Sequence, residues 1–134
     1  MILIDTSVWI DFFKEKNNPY VRTLEILIEQ REDICLCGVI LAEILQGIED
    51  EKEFLKTESL LNNLIYLPMS RDTFFLAAKI YRRLRSRGVT IRKSIDCMIA
   101  AVAIENKIFL LHNDEDFNLI VDYFKLQIVE VSDR

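Results

Sequence analysis

Short apolar runs alternate with helical segments along almost the whole of this 134-residue chain. Each run is only a few residues long, which indicates a buried β-strand rather than a buried helix. Strands separated by helices pair in parallel, because each helix carries the chain back along one face of the sheet. The pattern therefore predicts an α/β fold, a parallel sheet with helices on both faces. The candidate strands are residues 1–4, 34–37, 64–67, 108–111 and 126–131.

The segments between these strands carry signals for helix starts and ends. Thr6 or Ser7 is predicted to cap a first short helix, Ser70 a long one, and Ser94 the helix that follows Gly88. Gly47 suits the end of another helix. The remaining predicted helices are residues 21–31, 39–47, 49–63 and 114–123, and the long helix ends near residue 87.

Length and composition bound the class of protein. A chain of 134 residues predicts one domain, residues 1–134, since roughly 100–150 residues is the usual domain size. The first residues have no basic flank of a signal peptide, and no apolar run approaches the roughly 20 residues of a membrane-spanning helix. Three cysteines, an odd number, without a secretory signal indicate a reducing compartment, so we expect a cytoplasmic protein.

Several carboxylates interrupt or end apolar segments, where acids are seldom found. Asp and Glu are rarely buried unless they have a partner, because burying an unpaired charge is costly. A common partner would resolve this, and a hard divalent cation with oxygen ligands is the simplest one. The acids concerned are Asp5, Glu43, Asp96, Asp114 and Asp116.

The predicted topology places these acids together. In an open parallel sheet, the reactive crevice lies beyond the carboxyl ends of the strands. Asp5 ends the first strand and Asp114 and Asp116 lie just past the end of the fourth, whereas Glu43 and Asp96 lie in the first turns of helices. Each acid also has a simpler interpretation as a helix cap, an outward-facing side chain or a favourable first-turn charge. The combination is harder to explain that way than any single member.

One short segment is strongly basic although the net charge of the chain is −5. Such a segment can hold a phosphate backbone beside an acidic cleft. The alternative is a solvated helix end and loop with no ligand. The six basic residues are Arg82, Arg83, Arg85, Arg87, Arg92 and Lys93.

Four segments resemble, in order and spacing, the acidic motifs of PIN-domain ribonucleases, and more narrowly those of VapC toxins of type II toxin–antitoxin pairs. The first is the opening Ile2-Leu3-Ile4-Asp5-Thr6-Ser7-Val8-Trp9, and the second contains Glu43 in Leu-Ala-Glu-Ile-Leu-Gln-Gly. The third contains Asp96 in Ser-Ile-Asp-Cys-Met-Ile-Ala-Ala, and the fourth is Asn113-Asp114-Glu115-Asp116-Phe117. One departure is His112, where the family pattern has Thr or Ser.

The resemblance implies a three-layer α/β/α fold with a central parallel sheet of about five strands. It implies a metal-dependent endoribonuclease using Mg²⁺ or Mn²⁺, a homodimer, and a small antitoxin partner. Ser7 carries over as a supporting polar group. The acids carry over as catalytic residues (Asp5, Glu43, Asp96 and Asp114) and as metal ligands (Asp5, Asp96, Asp114 and Asp116). The basic segment would then bind RNA.

The expected chemistry is hydrolysis of an RNA phosphodiester bond. A water activated by one or two metal ions attacks phosphorus in line, and the products carry a 5′-phosphate and a 3′-hydroxyl. Two other PIN-type functions stay open, RNA maturation and binding of RNA or a partner without cleavage. A phosphatase of the haloacid dehalogenase type is a weaker alternative, because Ser7 replaces its second acid and no lysine obviously accompanies the late acids.

Overall fold

A five-stranded, entirely parallel sheet forms the centre of the computed structural model, which describes residues 1–132. The strand order is β3-β2-β1-β4-β5, and β1 is therefore the central strand. The strands are β1 (Ile2–Ile4), β2 (Ile34–Cys37), β3 (Ile65–Leu67), β4 (Phe109–Leu111) and β5 (Gln127–Ile128). This confirms the predicted three-layer α/β/α class and the parallel pairing.

Helices connect the strands within residues 1–132. They are α1 (Thr6–Phe13), α2 (Pro19–Glu29), α3 (Gly38–Gln46), α4 (Glu51–Leu61), α5 (Arg71–Ser86), α6 (Ser94–Asn106) and α7 (Asp116–Val121). Helix α6 is apolar nearly all round. It contacts α3, α5, α7 and β4, and its residues 99–103 are buried. A helix enclosed in this way is held by packing rather than by an amphipathic face.

Two predicted helix caps are wrong. Asp5 caps α1, because its carboxylate accepts the backbone N–H of Ser7; Thr6 and Ser7 lie inside the helix. Lys93, with no side-chain cap bond, precedes α6, so Ser94 is its first residue. The predicted cap Ser70 and the helix end at Gly47 are confirmed.

The last predicted strand and helix are shorter than expected. The strand β5 covers Gln127–Ile128, and the Val129 N–H adds one bond to Leu110 of β4, whereas the apolar pattern predicted residues 126–131. A strand at the edge of a sheet has one neighbour to pair with, here β4, and the last ladder pair joins Leu110 to Ile128. Helix α7 begins at Asp116, two residues after the predicted start, because the Asp116 N–H donates to the Asp114 carboxylate.

The direction in which the chain adds strands to the sheet reverses between β1 and β4. The chain runs from β1 outward through β2 to β3, then crosses to β4 on the other side of β1. In such sheets a ligand crevice lies outside the carboxyl ends at the point where the strand order reverses. Here that point lies between the ends of β1 and β4, which Asp5 and Asp114 follow.

The core contains all three cysteines and the single tryptophan. Cys35, Cys37 and Cys97 are buried and free, and Trp9 is fully buried. Burial raises the pKa of the Cys37 and Cys97 thiols to about 11, which makes them unreactive. Within the described residues, no helix has the length and apolar character needed to cross a membrane.

Candidate functional site

Three carboxylates converge at the carboxyl edge of the sheet. Asp96, Asp114 and Asp116 each present an oxygen, and these oxygens all lie within 4.8 Å of one another. Asp96 comes from the first turn of α6, Asp114 from the loop after β4, and Asp116 from the start of α7. Asp96 and Asp116 are buried and Asp114 is half-buried. We call this group the carboxylate triad.

Asp5 lies beside the triad and is fixed by Ser7. The Ser7 hydroxyl donates to Asp5 Oδ2 at 2.6 Å, and the Ser7 backbone N–H donates to the same oxygen at 3.0 Å. The same hydroxyl accepts the backbone N–H of Asn113 at 3.0 Å. Ser7 therefore joins the loop after β1 to the loop after β4 and brings Asp5 close to the triad.

Glu43 occupies a separate position on α3. Its carboxylate oxygen Oε1 accepts the hydroxyl of Thr6 at 2.7 Å, and the side chain is half-buried. Glu43 is not part of the triad, and neither is Asp5. Sequence reasoning missed Thr6 as its partner, because the two residues are 37 positions apart. We call Asp5 and Glu43 the hydroxyl-held pair.

Two cationic side chains contact the triad. Lys93 Nζ lies 3.2 Å from Asp114 Oδ2 and 4.0 Å from Asp96 Oδ1. The Arg92 guanidinium spans Asp114 Oδ1 at 3.6 Å and Asp116 Oδ2 at 3.5 Å. The Arg92 backbone N–H also donates to Asp116 Oδ2 at 3.3 Å.

The predicted basic segment is thus divided in two. Arg92 and Lys93 contact the acids, whereas the other four residues are exposed on α5 or just after it (Arg82, Arg83, Arg85 and Arg87). Of these four, Arg85 lies over the ring of Tyr81. Lys93 contacts Asp114, so the expectation that no lysine accompanies the late acids is wrong. Ser7 still stands where a phosphatase of the dehalogenase type needs an acid.

Burial and like charge strongly perturb the pKa of Asp96. Burial is the main cause, the charges of Asp114 and Asp5 add to it, and the Lys93 ammonium offsets part of it. Together they raise the pKa of Asp96 to about 8. A carboxyl group with such a pKa ionises at neutral pH only if a cation stabilises its charge.

The neighbouring acids respond differently to the same environment. Burial raises the pKa of Asp5, although the hydrogen bonds from Ser7 work against it. The pKa of Asp114 is lowered despite partial burial, because the Asp116 N–H and the Lys93 ammonium stabilise its charge. Asp114 is therefore a readily ionised carboxylate beside Asp5 and Asp96, which resist ionisation.

His112, the departure from the family pattern, has a structural role. Its Nδ1 accepts the backbone N–H of Asp114 at 3.1 Å, and its ring packs on Phe117 at a centroid distance of 4.9 Å. Burial lowers the pKa of the imidazole, which therefore stays neutral at physiological pH. The ring supplies the acceptor that positions the loop carrying Asp114.

The donor set fits a hard divalent cation. The triad offers only carboxylate oxygens, the ligands that Mg²⁺ and Mn²⁺ favour. Asp96 Oδ2 is buried without a hydrogen-bond partner among the described residues. Buried polar atoms normally have a partner, so this oxygen is available to a bound ion.

Comparison of the sequence with known proteins assigns this chain to a family. The sequence profile described as the PIN domain matches residues 2–122. Ribonuclease VapC11 of Mycobacterium tuberculosis is 38% identical over 129 residues, which cover 95% of this chain and 96% of that protein. VapC ribonuclease Mb1587 of Mycobacterium bovis has the same identity and coverage.

Solved structures agree with the fold. VapBC2 from Rickettsia felis, bound to a promoter DNA fragment, has a TM-score of 0.76 at 22% identity and covers 96% of this chain and 98% of its own. FitAcB from Neisseria gonorrhoeae has a TM-score of 0.74 at 22% identity and covers 97% of each chain. At these identities the likeness concerns the fold, whereas the family rests on the sequence matches. This chain therefore belongs to the PIN-domain family, with VapC ribonucleases as its close sequence relatives.

Proposed function

We propose that this protein is a metal-dependent endoribonuclease that acts as the toxin of a toxin–antitoxin pair. The observation that carries the proposal is the carboxylate triad at the switch point of the sheet, with Asp96 Oδ2 buried and unpartnered among residues 1–132. The 38% identity to VapC ribonucleases over nearly the whole chain supports RNA as substrate.

We assign metal binding to the triad together with Asp5, and Mg²⁺ or Mn²⁺ as the ion. Such an ion would lower the pKa of a water molecule for attack on phosphorus and would offset charge on the phosphate oxygens. Asp114 supplies an ionised carboxylate, and Asp96 supplies the buried oxygen that lacks a partner within residues 1–132. Ser7 keeps Asp5 oriented toward them.

Glu43 completes the set of catalytic acids in this proposal. The Thr6 hydroxyl holds one of its oxygens, which leaves the other to accept a proton from the attacking water or to act as a further ligand. The exposed arginines of α5 and the turn after it would hold the RNA backbone. Arg92 and Lys93 lie at the triad itself and would meet the scissile phosphate.

The proposed partners follow from the relatives rather than from the site. Structural neighbours include VapBC assemblies and a toxin–antitoxin complex from Klebsiella pneumoniae, which supports a small antitoxin as partner here. We also propose a homodimer, one domain over residues 1–134, and a cytoplasmic location, where three free buried cysteines would persist.

The test is cleavage of a labelled RNA pool by the purified, antitoxin-free protein with Mg²⁺, Mn²⁺ or EDTA. We expect cleavage only with metal, and its loss in Asp5→Asn and Asp96→Asn. Asp122→Asn, an exposed acid at the end of α7, is the matched control and should cleave like the wild type. The new ends should carry a 5′-phosphate and a 3′-hydroxyl.

Other outcomes would replace the proposal. Metal binding without cleavage of any RNA would favour a PIN module that binds RNA or a partner. Equal cleavage in EDTA would contradict the assigned role of the triad. Whether a nuclease of this kind serves as a toxin or in RNA maturation is decided by growth arrest on expression and its relief by a small protein encoded directly upstream.

A further inference from the structure

We propose that Lys93 competes with the divalent cation for the triad, so that metal binding displaces its ammonium from Asp96 and Asp114. The inference rests on the proposed metal site but concerns a residue that holds no metal itself. It assigns to Lys93 a positioning role that changes as the site is loaded.

The contacts of Lys93 carry the inference. Its Nζ lies 3.2 Å from Asp114 Oδ2 and 4.0 Å from Asp96 Oδ1, on two of the three carboxylates whose oxygens converge. A divalent ion binds such oxygens at about 2.0–2.6 Å, which would place it against the ammonium. Two cations sharing these oxygens would repel each other, so one of them must leave.

Lys93 has the freedom to leave. Its side chain is 54% exposed, whereas those of Asp96 and Asp114 are 3% and 9% exposed. The residue lies just before α6 with its ammonium on a flexible four-carbon stem, so the ammonium can rotate into solvent. The carboxylates, in contrast, belong to packed elements and stay in place.

Arg92 is expected to behave differently from its neighbour. Its guanidinium spans Asp114 and Asp116, and its backbone N–H donates to Asp116 Oδ2, so it is tied at several points. Within residues 1–132 its ion pairs are with Asp114 and Asp116 and not with Asp96, whose Oδ2 lacks a protein partner among the same residues. Lys93 is therefore the cation that lies between Asp96 and Asp114.

Competition has a measurable consequence by linkage. If Lys93 stabilises the triad only when the ion is absent, its removal must raise metal affinity by the same factor. For a partly exposed charge pair we expect a gain of roughly threefold to tenfold. An ammonium released from the acids would then be free to bind a phosphate of the RNA.

The experiment is a titration of the full chain with Mn²⁺, followed by electron paramagnetic resonance, without RNA. We expect Lys93→Met to bind Mn²⁺ more tightly than the wild type, and Lys93→Arg, which keeps the charge, to lie between them. Lys125→Met removes an exposed positive charge elsewhere and controls for net charge. A Lys125→Met gain equal to that of Lys93→Met would overturn the inference.

Thermal unfolding separates competition from a purely structural role. In EDTA, Lys93→Met should unfold at a lower temperature than the wild type, and saturating Mn²⁺ should abolish the difference. A structural lysine would lower both temperatures equally, which would contradict the inference. If the wild type binds Mn²⁺ and Lys93→Met binds it equally or more weakly, only the role of Lys93 fails. If the wild type binds no Mn²⁺, the metal site of the proposed nuclease fails as well.

Discussion

The two halves of the acidic site hold their carboxylates by different means. In the hydroxyl-held pair, neutral donors fix the acids, Ser7 for Asp5 and Thr6 for Glu43. In the carboxylate triad, Lys93 and Arg92 provide positive charge. The first half comes from the chain around β1 and α3, the second from α6 and the segment after β4.

This difference separates orientation from charge balance. A hydroxyl donor aligns a carboxylate but brings no positive charge to it, so among the described residues no ion-paired cation has to leave the hydroxyl-held pair when a metal ion binds. An ammonium or guanidinium neutralises the acid and can be exchanged for another cation. Metal binding is therefore expected to change the side-chain contacts of the triad and to leave those of the hydroxyl-held pair unchanged.

The largest expected effect concerns metal affinity in the two halves. Asp114→Asn removes an ionised member of the triad, and we expect Mn²⁺ affinity to fall at least about 100-fold, more than the loss of a supporting group. Asp5→Asn should lower it only about tenfold, because Asp5 lies outside the triad. Isothermal titration calorimetry measures both Mn²⁺ affinities, and equal losses of affinity would remove the distinction between the halves.

A second effect is on stability and its dependence on pH. Asp96 has a folded-state pKa of about 8 against about 3.9 when unfolded, so the folded protein holds a proton that the unfolded chain releases. Stability from this group is complete below pH 4 and is lost as pH rises toward 8. In EDTA, the free energy of unfolding of Asp96→Asn should gain on the order of 4 kcal/mol relative to wild type between pH 5 and pH 8.

Denaturant unfolding at the two pH values measures this gain. Saturating Mn²⁺ should reverse the order at pH 8, because only the wild type keeps the full ligand set. A gain that does not depend on pH would mean that Asp96 ionises normally in the folded protein. The matched control is Asp122→Asn, an exposed acid outside the site.

A third effect tests the link between the two loops. Ser7→Ala removes the hydroxyl that joins Asp5 to the Asn113 backbone. We expect cleavage to fall about tenfold and the free energy of unfolding to fall by about 1 kcal/mol. Single-turnover cleavage and urea unfolding measure the two losses, and Ser7→Thr, which keeps a hydroxyl, is the control. Unchanged cleavage would show that Asp5 needs no support from Ser7.

The smallest expected effect lies at Glu43. Thr6→Val keeps the shape of the buried side chain but removes the donor to Glu43, so we expect roughly a threefold loss of cleavage. Thr6→Ser should restore most of it. A loss of cleavage as large as that of Ser7→Ala would mean that Glu43 depends on its hydroxyl donor as strongly as Asp5 does.

Much of the fold could be predicted because it depends on local patterns. The positions of β1 to β4 follow from short apolar runs, and parallel pairing follows from the helices between them. Asp5 and Asp114 were predicted at the carboxyl edge for the same reason, since Asp5 ends the first strand and Asp114 lies just past the fourth. The end of β5 and the start of α7 were not, because edge pairing and the Asp114 carboxylate set them.

The partners of the charged residues could not be predicted. The chain alone makes Arg92 and Lys93 part of one basic segment with the arginines of α5, and only the packing of α6 beside β4 brings them to the triad. Thr6 and Glu43 meet for the same reason, across 37 residues.

The sequence by itself determined the α/β class, the order of the strands and helices along the chain, and which acids follow a strand or open a helix. These features depend on hydrophobic periodicity and on the polarity of residues close together in the chain. The tertiary structure decided which acids form the triad, which of them resist ionisation, and which cations offset them. Those outcomes depend on distances of a few ångströms and on burial between distant segments, which no local pattern encodes.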